Sequence, residues 1–444
     1  MCDLAHTGVG LAPTYSQAPM APETVVMKFG GTSVAAPEDI KRAAGRIVAA
    51  REAGMRVVAV LSARGQTTDE LVAMAQEVSD RPEPREMDML LSVGERISCA
   101  LCAMAIHDLG HHAISLTGSQ AGIVTDSSHT KARILDVRAD RIREALTDDR
   151  IVLVAGFQGV SGSSRDVTTL GRGGSDTTAV AIAAALEASV CEIYTDVAGV
   201  FTADPRIVAD ARKLAILSFE EMLEMAASGA KVLQLRSVEY ARNHGVRMHC
   251  RSSFEDGAGT LVVAEDETME RPLITAVAHS TEESRVTITG LRDEPGVAGR
   301  IFGALAEANV NVDMIIQNEP VEAEHGADLS FTVGRDDLRA ALDTIAGLEV
   351  GEGISTDDAI GKVSIVGAGM RSHPGVAAKV FQVLGENSIN IEMISTSPIK
   401  ISCVIAAERV PDAVQALHEA FELGAEAVRK EEPTGLEHRP KVTP

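Results

Sequence analysis

Residues 151–188 contain the feature that most restricts the fold of this chain. The apolar run IVLVA at 151–155 ends at Gly156 and is typical of a strand buried on both faces of a parallel sheet. The run AVAIAAALEA at 179–188 consists mostly of strong helix formers, and residues 175–178 ahead of it are N-cap candidates. Between them, residues 170–174 place three glycines around one arginine. A strand, a tight turn and a helix in this order predict an α/β unit.

The turn has the composition of an anion site. Glycines let backbone amides approach an anion closely, a helix N-terminus attracts negative charge, and the planar guanidinium of Arg172 suits a carboxylate. A tight strand-to-helix connection with a surface arginine is the alternative, and it is the commoner outcome for an isolated glycine cluster.

A second junction of this kind lies near the N-terminus. A strand is predicted at Thr24–Phe29, followed by Gly30 and Gly31 and by a helix that begins at about Pro37. Lys28 precedes the glycines, so this is not a P-loop, in which the lysine follows them. At a strand end, its ammonium group could face a transferring phosphoryl group, although an ordinary strand-end lysine is the alternative.

Strands and helices alternate from residue 24 to residue 262, with Asp69 expected to cap a helix. Further strands are predicted at 57–62, 112–117 and 190–196, and helices at 87–109, 136–146 and 228–241. This alternation predicts an α/β fold with a doubly wound, mainly parallel sheet. Ligands of such sheets gather at the carboxyl ends of the strands, where Lys28, Ser62, Arg172 and Asp196 fall.

Charge and composition exclude several classes of function. The 444 residues carry a formal net charge of −23, which disfavours nucleic-acid or anionic-membrane partners. No apolar run is expected to reach the roughly 20 residues of a membrane span, so we expect a cytoplasmic protein. Cys99 and Cys102 form a CxxC inside a helical run without a second pair of ligands, and are therefore interpreted as core thiols.

The C-terminal half contains an internal repeat. A segment that starts at Val286 resembles one that starts at Val363, and from the Pro-Gly of each copy onward the two superpose without a gap, for example at Gly296 and Gly375 and at Asn311 and Asn390. Each copy has the pattern of a strand, a helix that begins at Pro-Gly, and a strand, which predicts a ferredoxin-like βαββαβ unit. The helix starts suit a small zwitterionic ligand, and a dimerisation module is the alternative.

Together these motifs resemble those of the aspartate kinases, and the resemblance extends from about Val25 to Leu423. It is carried by four motifs in order: KFGGTS at 28–33, GERIS at 94–98, TTLGRGGSD at 168–176, and TD through TADPR at 195–206. The resemblance implies an amino-acid-kinase fold followed by two ACT-like domains, and phosphoryl transfer from Mg-ATP to L-aspartate. It also implies feedback control by lysine, threonine or both, and the repeat layout is most similar to that of the actinobacterial form.

The resemblance implies roles for individual residues. Lys28 matches the lysine that neutralises charge on the phosphoryl group, and Asp176 matches the residue that positions the lysines; with Arg172 they form the catalytic set. The matches to substrate-binding positions are Thr68, Glu95, which accepts the substrate ammonium group, Arg172, which pairs with a substrate carboxylate, and Ser175. The matches to nucleotide-binding positions are Lys28, Phe29, Gly30, Gly31, Ser62, Thr195, Asp196, Val200, Phe201, Thr202, Ala203, Asp204, Pro205, Arg206 and Lys231. Gln234 and Leu235 replace the His-Pro that is frequent near Lys231.

The implied chemistry suits this set. A carboxylate is already a nucleophile, so no general base is required, and catalysis is positioning and electrostatic stabilisation. Mg²⁺ would be held mainly by phosphates and water, without a dedicated protein site.

The resemblance also predicts the domain division and the effector sites. An extension at 1–22 and a tail at 425–444 are expected to be disordered, around a kinase domain at 23–264 and a first ACT-like domain at 280–355. The second ACT-like domain combines 265–279 with 356–424, so that strand Leu273–Ala278 joins its sheet. The predicted allosteric residues are Asp293, Pro295, Gly296, Gln317, Asn318, Asn390, Ile391 and Glu392. The ACT-like domains are expected to form a homo-oligomer, and a small subunit that starts near Met269 is a further possibility.

Two alternatives stay open. A related enzyme that phosphorylates glutamate or its acetylated form shares the kinase motifs, but such enzymes generally lack the double repeat. A non-catalytic amino-acid sensor could keep the same fold, although intact Lys28, Arg172 and Asp176 disfavour it.

Overall fold

The computed structural model describes residues 22–265, 273–292, 294–318, 326–348 and 350–424. The extension predicted at 1–22, apart from its last residue, and the tail predicted at 425–444 lie outside the described residues.

The first half contains a mixed α/β domain. Its strands are β1 Thr24–Phe29, β2 Arg56–Leu61, β3 Ala113–Leu116, β4 Ile123–Thr125, β5 Ile134–Val137, β6 Ile151–Ala155, β7 Gln158–Ser161, β8 Val167–Thr169, β9 Val190–Thr195, β10 Ile216–Ser218, β11 Met248–Ser252 and β12 Thr260–Val263. Its helices are α1 Pro37–Glu52, α2 Thr67–Val78, α3 Pro84–Leu91, α4 Val93–Asp108, α5 Asp140–Thr147, α6 Gly174–Ala185, α7 Phe219–Ala227 and α8 Leu235–His244.

Eight of these strands form one sheet in the order β10-β12-β11-β9-β1-β2-β6-β3. All neighbours are parallel except β11 and β12. Helices α1 and α4 pack on one face, and α5 to α8 pack on the other. The uniformly apolar strands follow from this arrangement, because a sheet covered on both faces buries every side chain. The prediction of a doubly wound, mainly parallel sheet is confirmed.

Helices α3 and α4 together are the one stretch of the described chain that is long and apolar enough to cross a membrane, by composition alone. This corrects the expectation that no such run exists. The stretch is half buried, and Cys99, Cys102 and Ile106 pack in the core beneath the sheet. The pair therefore serves as a core element, interrupted at Ser92 where one continuous helix was predicted.

The domain contains a second, four-stranded sheet with the order β5-β4-β7-β8, and its strand β5 overlaps the start of the helix that was predicted at 136–146. Ala139 adopts a positive φ of 53°, so the helix cannot start before Asp140, and the residues ahead of it form β5. The last strand of this sheet leads directly into the glycine turn at 170–174.

Three predicted helix starts are wrong in detail. Gly173, at φ 73°, precedes α6 without a side-chain cap, so the capping residues proposed at 175–178 lie inside the first turn. Gln66 occupies the corresponding position of α2, and Asp69 lies in that first turn. Near Ser228 the chain turns at Gly229, at φ 106°, where a Cβ would lie 1.9 Å from the His279 carbonyl oxygen. Helix α8 consequently begins only at Leu235.

The second half consists of two repeat units. Its strands are β13 Ala276–Ser280, β14 Glu283–Leu291, β15 Val312–Asn318, β16 Ala327–Gly334, β17 Gly353–Asp357, β18 Ile360–Val366, β19 Met393–Ser397 and β20 Lys400–Ala406. Its helices are α9 Val297–Glu307, α10 Leu338–Ala346, α11 Val376–Glu386 and α12 Val410–Ala420. The first unit has the sheet order β15-β16-β14-β17 and carries α9 and α10.

The second unit has the sheet order β13-β18-β20-β19 and carries α11 and α12. Strand β13 precedes the first unit in the chain and yet pairs with β18, so the two units are interleaved. The expected strand at 273–278 is observed three residues later at its start. The domain boundaries themselves stay predictions.

Candidate active site

The centre of the candidate site is the end of β1. Gly30 donates its amide to the Tyr194 carbonyl oxygen at 3.2 Å, and Ser62 donates its amide to the Phe29 carbonyl oxygen at 3.1 Å. These bonds hold the ends of β9, β1 and β2 side by side. A Cβ at Gly31 would lie 2.9 Å from the Ala63 carbonyl oxygen, so the turn after β1 needs a residue without a side chain. The Phe29 ring is buried and stacks on Tyr194, which leaves only its backbone at the site.

A cation and an anion meet at this edge of the sheet. Lys28 Nζ lies 2.5 Å from Asp176 Oδ1, and their side chains are only 12% and 8% exposed. Asp176 lies in the first turn of α6, and Lys28 Nζ is 3.5 Å from the position that a Cβ of Gly30 would take. The ion pair therefore fixes the ammonium group directly above the glycine turn. Water screens such a pair weakly, so the position of the lysine is well defined.

Glu95 is a buried carboxylate in the first turn of α4. The residue is 3% exposed, and its Oε1 accepts a hydrogen bond from the Ala63 amide at 3.2 Å. Its Oε2 has no hydrogen-bond partner among the described residues. Burial raises the pKa of Glu95 to about 7. A buried carboxylate with an oxygen that lacks a hydrogen bond destabilises the folded protein unless a cationic ligand pairs with it. Such a carboxylate with a raised pKa is typical of a binding site.

The glycine turn brings Arg172 to the same edge. Gly171 and Gly173 both have positive φ, at 77° and 73°, and between them the Arg172 side chain is exposed. Ser175 is buried behind the turn, where a Cβ at Gly156 would lie 2.7 Å from its Oγ. Thr68 lies half-buried in the first turn of α2. Ser175 and Asp176 share the first turn of α6, so the turn that carries Arg172 leads directly to the residue that pairs with Lys28.

The predicted nucleotide loop borders a cavity of about 590 Å³. The residues that line it come from three segments: Thr195, Asp196, Val197, Gly199, Val200, Phe201, Ala203, Asp204, Pro205 and Arg206; Met225, Gly229, Ala230, Lys231 and Val232; and Val277, Ala278, His279, Ser280, Thr281 and Glu282. The third segment belongs to the second half of the chain. Its Glu282 forms an ion pair with Lys231, and Asp204 pairs with Arg206 at 2.7 Å.

The predicted nucleotide loop also packs into the second repeat unit. Thr202 Oγ1 and His418 Nε2 are 3.0 Å apart and buried, and Val277 donates its amide to the Thr202 carbonyl oxygen at 2.8 Å. Burial lowers the pKa of His418. Ala203 lies in the apolar core that α12 completes. Thr202 therefore faces the second repeat unit, and not the cavity.

The predicted allosteric residues lie in the two repeat units, away from Lys28. Gly296 precedes α9 at φ 96° beside Pro295, and Gln317 and Asn318 end β15. Asn390 and Ile391 come just before Glu392, which accepts a hydrogen bond from Arg285 of the first unit at 2.6 Å. Asp293 lies outside the described residues.

Comparison with known proteins assigns the family. The model of the amino acid kinase family matches residues 23–252, and models of the ACT domain match residues 285–350 and 363–421. The aspartokinase of Mycolicibacterium smegmatis is 57% identical over 407 residues, which cover 90% of this chain and 97% of the relative. That of Corynebacterium glutamicum is 53% identical over the same shares of both chains.

The chain belongs to the aspartokinase family.

Solved aspartokinases agree with this assignment. E. coli aspartokinase III in complex with aspartate and ADP superposes with a TM-score of 0.78 at 27% identity, over 90% of this chain and 99% of that one. The same enzyme in complex with lysine and aspartate gives a TM-score of 0.69. The chain is accordingly a kinase, and members of the amino acid kinase family are phosphotransferases.

Two contacts of this aspartokinase-family chain were not foreseen. Glu282 follows the linker strand β13, and His418 lies in the last helix, so neither belongs to a recognisable motif. Each touches the nucleotide loop or its neighbour Lys231 only because the second repeat unit packs against the kinase domain. Because no local motif marks Glu282 or His418, only information about which distant residues contact each other could have identified them.

Proposed function

We propose that this protein transfers the γ-phosphoryl group of ATP to the side-chain carboxylate of L-aspartate and forms 4-phospho-L-aspartate. The observation that carries the proposal is Glu95, a buried carboxylate with one oxygen that has no hydrogen-bond partner among the described residues. Its other oxygen accepts the amide of Ala63, whose carbonyl group lies against Gly31 in the turn after β1. The ammonium group of a free amino acid completes Glu95, while Arg172 pairs with a substrate carboxylate. An N-acetylated substrate has no positive charge to offer, so Glu95 favours the free amino acid over an acetylated one.

The side-chain carboxylate of the substrate attacks the γ-phosphorus, and the bond to the β-phosphate oxygen breaks as ADP leaves. Lys28 neutralises the charge that moves with the phosphoryl group, and Asp176 keeps its ammonium group in place. The amides after β1 and the cavity of about 590 Å³ suit the phosphates and the nucleoside of ATP.

Among the described residues, no group of three His, Cys, Asp or Glu side chains could hold a metal ion by itself. We propose that Mg²⁺ is held mainly by the phosphates and water and neutralises phosphate charge.

The two repeat units support a regulated enzyme. We propose that lysine, threonine or both bind near Gly296, Gln317, Asn390 and Glu392, and that the protein supplies the lysine, threonine and methionine pathway from the cytoplasm. Pairing between copies through the ACT domains, with or without a small subunit, is part of this proposal. The contact between Thr202 and His418 offers a route from the second unit to the nucleotide loop.

An ADP-release assay with purified protein and ATP tests the proposal. We expect turnover with L-aspartate, much weaker turnover with L-glutamate and none with N-acetyl-L-glutamate. Arg172→Ala and Glu95→Ala should raise the KM for aspartate far more than that for ATP. Absence of turnover with aspartate, or a preference for the acetylated acid, would contradict the proposal. Lysine and threonine, added singly and together, test the regulatory part.

A further inference from the structure

A second acidic side chain, Asp88 of α3, is completely buried and lies outside the predicted site. Its Oδ1 accepts hydrogen bonds from Thr169 Oγ1 at 2.5 Å and from the Thr130 amide at 3.0 Å. Its Oδ2 lies 2.6 Å from Nδ1 of His129. A carboxylate with this many partners is firmly fixed, and so are the groups that it holds.

The groups bonded to Asp88 lead directly into the arginine turn. Thr169 is the last residue of β8, and Arg172 follows three residues later. The Thr169 carbonyl oxygen accepts the Ala132 amide at 2.9 Å, and a Cβ at Gly171 would lie 3.0 Å from the Thr130 carbonyl oxygen. The segment at 129–132 thus forms a wall against which the turn packs.

Arg236 of α8 holds the same turn from the other side. Its guanidinium donates hydrogen bonds to the Leu170 carbonyl oxygen at 3.0 Å and to the Ala132 carbonyl oxygen at 2.8 Å. An anion and a cation, neither of them in the predicted site, therefore fix both the entry to the turn and its wall. The exposed side chain of Arg172 follows Thr169 and Leu170, which are held from two sides.

Asp88 also has a fixed relation to Glu95. The two residues are seven positions apart on the α3–α4 stretch, and the Ser92 amide between the helices bonds to the Asp88 carbonyl oxygen at 3.1 Å. Gln158 Nε2 donates to the Ser92 carbonyl oxygen at 2.8 Å, so the junction is tied to β7 as well. One helical element consequently carries the acceptor for the substrate ammonium group and holds the turn that carries its carboxylate partner.

We propose that Asp88 is a positioning residue that sets the location of Arg172 relative to Glu95, and thereby the length of the amino acid that the site accepts. The inference rests on the proposed function, because it assumes that Glu95 and Arg172 contact the substrate. A displacement of about 1 Å is enough to change catalysis strongly, so loss of this anchor should affect substrate use without removing any substrate contact.

The chain offers a matched pair of variants. Thr169→Val removes the hydroxyl bonded to Asp88. Thr168→Val, one residue earlier on β8, removes an equally buried hydroxyl that lies 2.6 Å from Thr125 Oγ1. Both lose one buried hydrogen bond on the same strand, and only one of them touches the anchor. We expect Thr169→Val to raise the KM for L-aspartate about fivefold or more, with the KM for ATP within about twofold of wild type. Thr168→Val should leave both values nearly unchanged.

Substitution of the carboxylate extends the test. Asp88→Ala should raise the KM for aspartate by more than tenfold and reduce the preference for aspartate over L-glutamate, while Asp88→Asn, which keeps one acceptor oxygen, should fall between Ala and wild type. Hydrogen exchange of the amides at 170–174 should accelerate in Thr169→Val but not in Thr168→Val, which reports on the anchor without any turnover.

The outcomes separate the two proposals. A wild-type protein that does not turn over aspartate defeats the proposed function, and the exchange measurement still judges the anchor. Equal effects of Thr168→Val and Thr169→Val on KM or exchange, or a parallel rise of the KM for ATP, would show that Asp88 is merely structural.

Discussion

The same backbone device occurs in both halves of the molecule with different surroundings. Helices α6, α9 and α11 each follow a glycine at positive φ, namely Gly173, Gly296 and Gly375, and none has a side-chain cap. A Cβ at Gly173 would lie 2.3 Å from Gln234 Cγ, whereas one at Gly296 or Gly375 would meet no atom of the described residues within 4 Å. The helix start in the kinase domain is enclosed, and those in the repeat units are open.

The charged groups show the same contrast. Glu95 in the kinase domain is buried with one oxygen partnerless among the described residues, and Lys28 is locked by Asp176. Glu392 in the second repeat unit is instead paired with Arg285 of the first unit. Preorganised groups lower the cost of reaching a transition state, while groups that can exchange partners let an effector shift a conformational equilibrium. Charged groups of the kinase domain are thus fixed within that domain, whereas Glu392 joins the two repeat units.

The largest effect should come from the locked cation. Lys28→Ala should lower kcat on the order of 10³-fold, because the charge on the moving phosphoryl group loses its partner. The variant also leaves Asp176 buried without its cation, so we expect reduced stability in thermal melts. Lys28→Ala/Asp176→Asn should recover stability and stay inactive. Restored turnover in the double variant would remove Lys28 from the mechanism.

The second largest effect should come from Glu95, the buried carboxylate. Since the pKa of Glu95 is about 7, the KM for aspartate should be roughly tenfold higher at pH 6 than at pH 8, and Glu95→Gln should abolish this dependence and bind aspartate weakly at every pH. The raised pKa also lowers stability as pH rises from 4.5 to 7, because the unfolded state ionises first. Glu95→Gln should therefore raise the free energy of unfolding by up to about 3 kcal/mol at pH 8 and by little at pH 4.5. A pH-independent KM in the wild type would contradict this account.

The enclosed and open glycines permit a direct comparison. Gly173→Ala adds strain at positive φ and a clash with Gln234, so we expect a loss of about 2 to 3 kcal/mol in denaturant unfolding and a marked loss of activity. Gly375→Ala, which meets only the strain, should cost about 1 kcal/mol. Gln234→Ala should partly restore the free energy of unfolding that Gly173→Ala loses. Equal losses at Gly173 and Gly375 would contradict the contrast between enclosed and open helix starts.

The smallest effect concerns the exchangeable pair. Arg285→Met frees Glu392, which should change the concentration of lysine or threonine for half-inhibition a few-fold and leave uninhibited kcat unchanged. Arg138→Met, which breaks the exposed pair with Asp136 in the kinase domain, is the control and should change neither value. A change of kcat in Arg285→Met without a shift in inhibition would place the pair outside regulation.

Much of the architecture followed from local patterns. The apolar run at 151–155 is strand β6, the run at 24–29 is β1, and the two copies of the repeat have matching elements, because strand and helix periodicities are local properties. Helix starts were less predictable. At α6, Gly173 takes the N-cap position that was expected to hold a polar side chain, because the backbone there has a positive φ that residues with a Cβ rarely adopt.

The sequence by itself determined the layout of strands, glycine turns and repeats, together with the residue types that a phosphoryl-transfer site requires. Only the tertiary structure decided that Glu95 is buried with one oxygen unpaired among the described residues and that β13 completes the sheet of the second unit. It also decided that His418 reaches the predicted nucleotide loop. Burial and pairing between residues as far apart as Thr202 and His418 arise when separate elements pack together. A local pattern specifies which face of an element is apolar, but not which distant element will cover it.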